Sequence, residues 1–218
     1  MRIISFGDIH MSLRNIERLA PELQAADLTI LSGDLTNFGG VQDAAHVLDA
    51  TQRHTRAVLA LSGNLDRPEV VDFLRSLGIS LHGECRRIGD LGIFGCGGSN
   101  VTPFHTPTEL SEEEIGALLE RGYAEVADAP RRLMVCHTPP LQTTTDRIAS
   151  GQHVGSPTVR AFIEAHQPDI CITGHIHESA NVDRIGRTAV LNAGAFRDGG
   201  YILVTAEADG LAAELRYL

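Results

Sequence analysis

Seven side chains of metal-binding type stand in five short clusters along this chain. They are Asp8 and His10 in Gly7-Asp8-Ile9-His10, Asp34 in Ser32-Gly33-Asp34, Asn64 in Ser62-Gly63-Asn64-Leu65-Asp66, His137 in Cys136-His137-Thr138, and His175 and His177 in Gly174-His175-Ile176-His177. Asp, His and Asn offer the oxygen and nitrogen donors that borderline divalent metals prefer. Seven donors exceed the needs of one four-coordinate ion. They suit two ions that share a bridging carboxylate, an arrangement that attacks phosphate esters through a metal-activated hydroxide.

Each cluster follows a short apolar run: Arg2 to Phe6, Leu28 to Leu31, Ala57 to Leu61, Leu133 to Val135 and Ile170 to Thr173. These runs lack strict alternation, as expected of strands buried on both faces. Helical spacing lies between the early ones. Ile16, Leu19, Ala20 and Leu23 form a first helix with Ser12 as N-cap, and Pro21 is expected to kink or shorten it. Ala44, Ala45, Val47 and Leu48 fit a second helix. Val70, Val71, Phe73, Leu74 and Leu77 fit a third, between Pro68 and Gly78. The chain therefore opens as alternating strands and helices, an α/β pattern. In such sheets the ligand crevice lies beyond the carboxyl ends of the strands, where all five clusters fall.

The ordered set Asp8-Ile9-His10, Gly33-Asp34, Gly63-Asn64-Leu65-Asp66, His137 and Gly174-His175-Ile176-His177 resembles the calcineurin-like metallophosphoesterases. The resemblance implies an α/β fold, a four-layer α-β-β-α sandwich of two mixed β-sheets flanked by helices. It also implies two divalent ions, of manganese, iron or zinc. One would be held by Asp8, His10, Asp34 and His177, the other by Asp34, Asn64, His137 and His175, with Asp34 as the bridge. The Gly155-Ser156 run together with Gly174-His175-Ile176-His177-Glu178-Ser179 resembles the branch of the family that acts on nucleotides and phosphodiesters.

One position departs from the pattern. The family has a histidine after the Asn of its third motif, thought to protonate the leaving group; here it is Leu65. General acid help of that kind is worth roughly 10²–10⁴-fold. Asp66, which would orient such a histidine, is then expected to cap the helix near Pro68. His105 and His153, in two long loops, are the candidate replacements. His46, His54, His82 and His166 read as ordinary helix or turn residues. Arg197 and Arg67 could meet substrate, though a solvated surface position is the simpler reading of both. Backbone N–H groups at Gly155-Ser156, before a helix opened by Ser156-Pro157, could hold a phosphate.

The 218 residues are enough for one domain, expected to span 1–218, with no linker or repeat. Residues 97 to 110 and 138 to 156 are its long irregular stretches. Ser111 and Glu114 form a capping box for a helix after them. Hairpin turns at Gly89-Asp90, Gly186 and Asp209-Gly210 are expected to supply the second sheet. The net charge is −10, and all 18 basic residues are Arg. The lack of Lys excludes a lysine Schiff base, and an acidic chain without an Arg-rich run is a poor general nucleic-acid binder. Four cysteines without paired spacing, and the lack of a signal peptide or membrane-length apolar run, point to the cytoplasm. Cys136 and Cys171 are expected in the core.

Three functions follow. The first is hydrolysis of a small phosphodiester or nucleotide by a two-ion metallophosphoesterase. The alternative is a metal- and nucleotide-binding regulatory protein with little catalysis, supported by Leu65. The third is a protein phosphatase, which a chain this short and without peptide-groove insertions supports least.

Overall fold

In the computed structural model, which describes residues 1–207 and 210–218, the apolar runs form the parallel strands of two sheets. The first is five-stranded. Its parallel strands are β1 (Arg2–Phe6), β2 (Leu28–Ser32) and β3 (Val58–Leu61), separated by helices α1 (Leu13–Gln24) and α2 (Val41–Gln52) and followed by α3 (Glu69–Ser76). The second is six-stranded: β4 (Cys85–Ile88), β5 (Leu91–Cys96), β8 (Arg131–Cys136), β9 (Ile170–Thr173), β10 (Asn181–Ile185) and β11 (Thr188–Asn192), in the order β10-β11-β9-β8-β5-β4. A short parallel pair, β6 (Ser99–Asn100) with β7 (Glu109–Leu110), lies outside both. Helices α4 (Glu112–Ala124) and α5 (Pro157–His166) cover the second sheet.

Side-chain alternation on these strands builds three apolar layers. Ile3, Ile30, Leu133, Val135, Ile170 and Ile172 point between the sheets. Ile4, Phe6 and Leu31 point out to Ile16, Leu19, Val47 and Leu74 of the first three helices. Met134, Cys136 and Cys171 point the other way, to Leu119, Val159 and Phe162. Strands with apolar partners on both faces need apolar residues at every position, which is why the runs do not alternate. The result is the expected four-layer α-β-β-α sandwich.

Four expectations are corrected in whole or in part. Helix α1 runs on through Pro21 to Gln24. Pro21 costs a backbone bond, but Leu23 beyond it is fully buried, a gain of roughly 1.5–3 kcal/mol that favours continuing the helix. Ser12 occupies the N-cap position without a side-chain capping bond. The third hairpin, β12 (Gly200–Glu207) and β13 (Gly210–Tyr217), joins the first sheet, because β12 pairs antiparallel with β1. Asp209 of its expected turn lies outside the described residues. Residues 97–110 are not wholly irregular, since they carry β6 and β7. The hairpins at Gly89 and Gly186, both with positive φ, and the Ser111–Glu114 capping box form as expected.

Candidate metal centre

All five clusters emerge at the carboxyl ends of parallel strands: β1, β2 and β3 of one sheet, with β3 at its edge, and β8 and β9 of the other. The loops there are tightly turned. Asp8, His10, Asp34 and His175 have φ values of 50°, 46°, 47° and 67°, in the left-handed region that non-glycine residues seldom occupy. Such strain persists where surrounding structure fixes it, and it clusters at functional sites. Gly63 lets its loop lie directly on Asp34, for a Cβ there would meet the Asp34 backbone nitrogen and Oδ1.

Asp8, His10, Asp34 and His177 each offer one ligand atom, and these atoms lie within 4.8 Å of one another. His177 Nε2 is 3.2 Å from Asp8 Oδ1 and 3.1 Å from His10 Nε2. His10 Nε2 is 4.0 Å from Asp8 Oδ1 and 3.8 Å from Asp34 Oδ2. Bonds of about 2.0–2.1 Å to a tetrahedral ion imply ligand–ligand edges of about 3.3 Å, so the set fits one cation with little adjustment. On the other side of Asp34, His137 Nε2 lies 3.6 Å from the same Asp34 Oδ2 and 3.2 Å from Asn64 Oδ1. The His175 ring lies 5.5 Å from the His137 ring, centre to centre. One carboxylate oxygen thus stands between two donor groups.

Neighbouring groups hold these atoms in place. Leu65 N–H donates to Asp34 Oδ1 at 2.8 Å, leaving Oδ2 turned to the ring nitrogens. His137 Nδ1 lies 2.9 Å from the Ser32 carbonyl, which fixes the ring with Nε2 inward. His175 N–H donates to both Asp8 oxygens, at 3.2 and 3.1 Å. Buried Asn192 donates to the Ile176 and Thr145 carbonyls at 2.9 and 3.2 Å, anchoring the Gly174–His177 loop. Asp66 does not cap α3. Fully buried, it accepts from Leu35 N (3.1 Å), Thr36 N (2.7 Å), Thr36 Oγ1 (2.8 Å) and Gly63 N (2.8 Å), and so clasps the Asp34 loop to the Asn64 loop.

Charge follows this geometry. Burial alone would lift the Asp34 carboxyl, but the charge and hydrogen bond of His137, with His10, hold it below its ordinary value. Burial opposes charge on His137 too, yet Asp34 and Asp8 push it up to about 9. His177 is raised by its bond to Asp8. Burial, with His137 nearby, lowers His175 to about 4. His10 is lowered, chiefly by burial. Burial and the Asp34 charge lift Asp66 to about 6 against its four donors.

A cleft of about 340 Å³ opens over the first cluster, lined by Asp8, Ile9, His10, Ser12, Asn37, Leu65, His177 and Arg197. Leu65 therefore faces the place a substrate would occupy. Arg197 stands on a turn fixed to the site: Phe196 N donates to Asp8 O at 3.1 Å, and Asn15 donates to the Phe196 and Arg197 carbonyls at 2.7 and 3.0 Å. Arg67 instead donates to Phe38 O. His105 is exposed, next to Thr106, whose hydroxyl accepts from Asn64 Nδ2 at 3.1 Å. His153 is partnered by buried Asp146, 2.6 Å away. The N–H groups of Gly155 and Ser156 are taken by Asp146 Oδ2 and Pro139 O, at 3.0 and 2.8 Å, so they offer nothing to a phosphate.

Comparison with known proteins agrees with this geometry. The family model described as calcineurin-like phosphoesterase matches residues 1–179. The chain belongs to the calcineurin-like phosphoesterases. The Methanocaldococcus jannaschii protein MJ1162 is 34% identical over 200 residues, covering 88% of this chain and 87% of its own. Among solved structures, TT1561 of Thermus thermophilus aligns with a TM-score of 0.74 at 18% identity, over 98% of this chain and 97% of its own. A dimetal phosphatase from Danio rerio aligns with a TM-score of 0.69 at 13% identity, over 100% and 96%. At such identities these structures speak for the shared phosphoesterase fold. Membership makes the chain a hydrolase at the level of the family, with a cluster of Asp and His able to hold metal. Among the described residues no helix is long and apolar enough to cross a membrane.

The sequence alone passes over the residues that support the site: the Ser32 carbonyl, the Leu65 N–H, Thr106, Asn15 and Asn192. Ser32 and Leu65 lie within the motifs but act through backbone atoms, and Thr106, Asn15 and Asn192 belong to none. Asn192, in Asn192-Ala193-Gly194 after an apolar run, carried the same strand-end signal as the other clusters.

Proposed function

We propose that this chain is a two-ion metallophosphoesterase that hydrolyses a small phosphodiester or nucleotide. The observation that carries the proposal is Asp34 Oδ2, 3.8 Å from His10 Nε2 on one side and 3.6 Å from His137 Nε2 on the other. In this reading Asp8, His10, Asp34 and His177 hold one ion, and Asp34, Asn64, His137 and His175 hold the second. Manganese, iron and zinc all suit this donor set. When bound, the ions supply Lewis acidity, which brings water ionisation towards neutral pH and offsets charge developing on the phosphoryl group.

The chain's own residues do the rest. Arg197, on its anchored turn, offers a guanidinium to a phosphate oxygen at the mouth of the cleft. Leu65 and Ile9 give the cleft an apolar wall that keeps bulk water from the leaving group. Leu65 cannot donate a proton, so in this reading another group does, unless the leaving group needs none. His105 is the better placed candidate, one residue from the Thr106 that touches Asn64, while His153 is engaged with Asp146. Of the strands beyond the family match, β10 and β11 extend the second sheet from β9, and β12 and β13 complete the first beside β1, so residues 1–218 are read as one domain. Four free cysteines agree with a reducing cytoplasm.

The alternative, a metal- and nucleotide-binding regulatory protein, rests on Leu65 alone. Hydrolysis of p-nitrophenyl phosphate and bis-p-nitrophenyl phosphate by the metal-free protein, with and without manganese, separates the two. The proposal expects manganese-dependent cleavage, faster on the diester, and, on an alkyl phosphodiester such as a dinucleotide whose leaving alkoxide needs a proton, a loss of roughly 10²–10⁴-fold in His105→Gln but not in His153→Gln. Bound metal without cleavage of either ester would leave the regulatory reading standing.

A further inference from the structure

We infer that Thr106, held by Glu109, decides which end of the Asn64 amide faces the second ion, and is a positioning residue for that ion. The inference rests on the two-ion reading above.

An Asn ligand has a wrong end. Its oxygen binds a cation, whereas its NH₂ group, two donors and no acceptor, repels one. Something must therefore hold the amide one way round. Here Asn64 Oδ1 faces His137 Nε2 at 3.2 Å and Nδ2 faces Thr106 Oγ1 at 3.1 Å. A hydroxyl has a single hydrogen to give. Thr106 gives it to Glu109 Oε1, 2.8 Å away, so towards Asn64 it can only accept. That forces the NH₂ group to Thr106 and the oxygen to the site. The polarity is set at Glu109. Its Oε1 also accepts from Thr102 Oγ1 at 2.6 Å and Thr106 N at 2.7 Å, bonds that demand a carboxylate. Burial opposes that charge, but these donors hold the Glu109 carboxyl down at about 2.

The loop carrying this relay is fastened to the metal loop at two further points. Thr108 N donates to Asn64 O at 3.0 Å, and Thr108 Oγ1 donates to Asp66 O at 2.6 Å. Thr106 thus meets Asn64 through a rigid frame, and removal of its hydroxyl leaves the amide free to turn. Partners of metal ligands of this kind typically govern affinity by about 10–100-fold.

The test is calorimetric titration of the metal-free protein with Mn²⁺. The wild-type chain is expected to take two ions. Thr106→Val should leave the first ion's affinity within about twofold and weaken the second by about 10–100-fold, Thr106→Ser should restore it, and Glu109→Gln should fall between. In an Asn64→Asp background the ligand has no wrong end, so there Thr106→Val should bring no loss of second-ion affinity. Equal second-ion affinity in wild type and Thr106→Val would overturn the inference, as would equal weakening of both ions. So would a Thr106→Val penalty that survives in Asn64→Asp. A wild-type chain that binds fewer than two ions would defeat the two-ion reading, and this inference with it.

Discussion

Asp66→Ala removes the clasp between the loops that carry Asp34 and Asn64, and its cost can be worked from the bonds. Three buried backbone donors lose their acceptor: Leu35 N, Thr36 N and Gly63 N. The Thr36 hydroxyl does not become an orphan, because it also reaches Gly39 O at 3.2 Å. Each stranded buried donor costs about 1–3 kcal/mol, and no longer burying a carboxylate whose pKa stands raised to about 6 returns up to about 3 kcal/mol, so the net loss is about 2–6 kcal/mol. For a chain of this size each kcal/mol moves Tm by about 2–4 °C. A loss near 4 kcal/mol is then a fall of about 8–16 °C. The assay is thermal and urea unfolding of metal-free wild type and variant, scored by circular dichroism. Asp66→Asn keeps one acceptor oxygen and is expected to lose about half as much. A loss below about 1 kcal/mol in Asp66→Ala would refute the reasoning, because it would mean that the three donors are satisfied by something else.

Metal uptake should release protons. His137, raised to about 9, holds a proton at neutral pH that a metal must displace. Titration at pH 7.5 in buffers of different ionisation enthalpy should report about one proton released from His137, and affinity should climb with pH up to about 9. A buffer-independent enthalpy would contradict this. His82, lowered to about 4 by burial and by Arg75 and Arg121, is neutral in the fold and charged below pH 6.5 when unfolded. Its contribution is therefore fully present above pH 6.5 and is lost as pH falls towards 4, by up to about 3 kcal/mol. His82→Gln should flatten that part of the stability profile, and an unchanged slope would exclude His82 as its source. Gly63→Ala should cost about 1–3 kcal/mol and most of the bound metal, since the new methyl collides with Asp34. Metal analysis after reconstitution checks this.

Much of the fold was legible because its strands are buried on both faces. Runs such as Ile170–Thr173 can be satisfied only between two apolar layers, and the clusters that end them fall at the sheet's carboxyl edge. What was not legible depends on long-range pairing. The β12–β13 hairpin reads the same whichever sheet it joins, and only pairing with β1 decides. Helix α1 runs past Pro21 against the local rule, with the burial of Leu23 offsetting part of the cost. Asp66 looked like a helix cap on sequence distance, yet its donors include Leu35 and Thr36, some thirty residues upstream. The Gly155-Ser156 turn looked free until Asp146 and Pro139 took its N–H groups. The candidate ligand side chains were visible as motifs. Their supports, Ser32 O, Thr106 and Asn192, were not, because such partners are chosen by geometry rather than by spacing.

The central claim is that Asp34 bridges two ions. Low-temperature electron paramagnetic resonance of the manganese-reconstituted protein tests it most directly. At two Mn²⁺ per chain the account predicts an exchange-coupled signal from a pair of ions, collapsing to that of isolated Mn²⁺ in Asp34→Ala. Isolated-ion signals at every loading of the wild-type protein would contradict it.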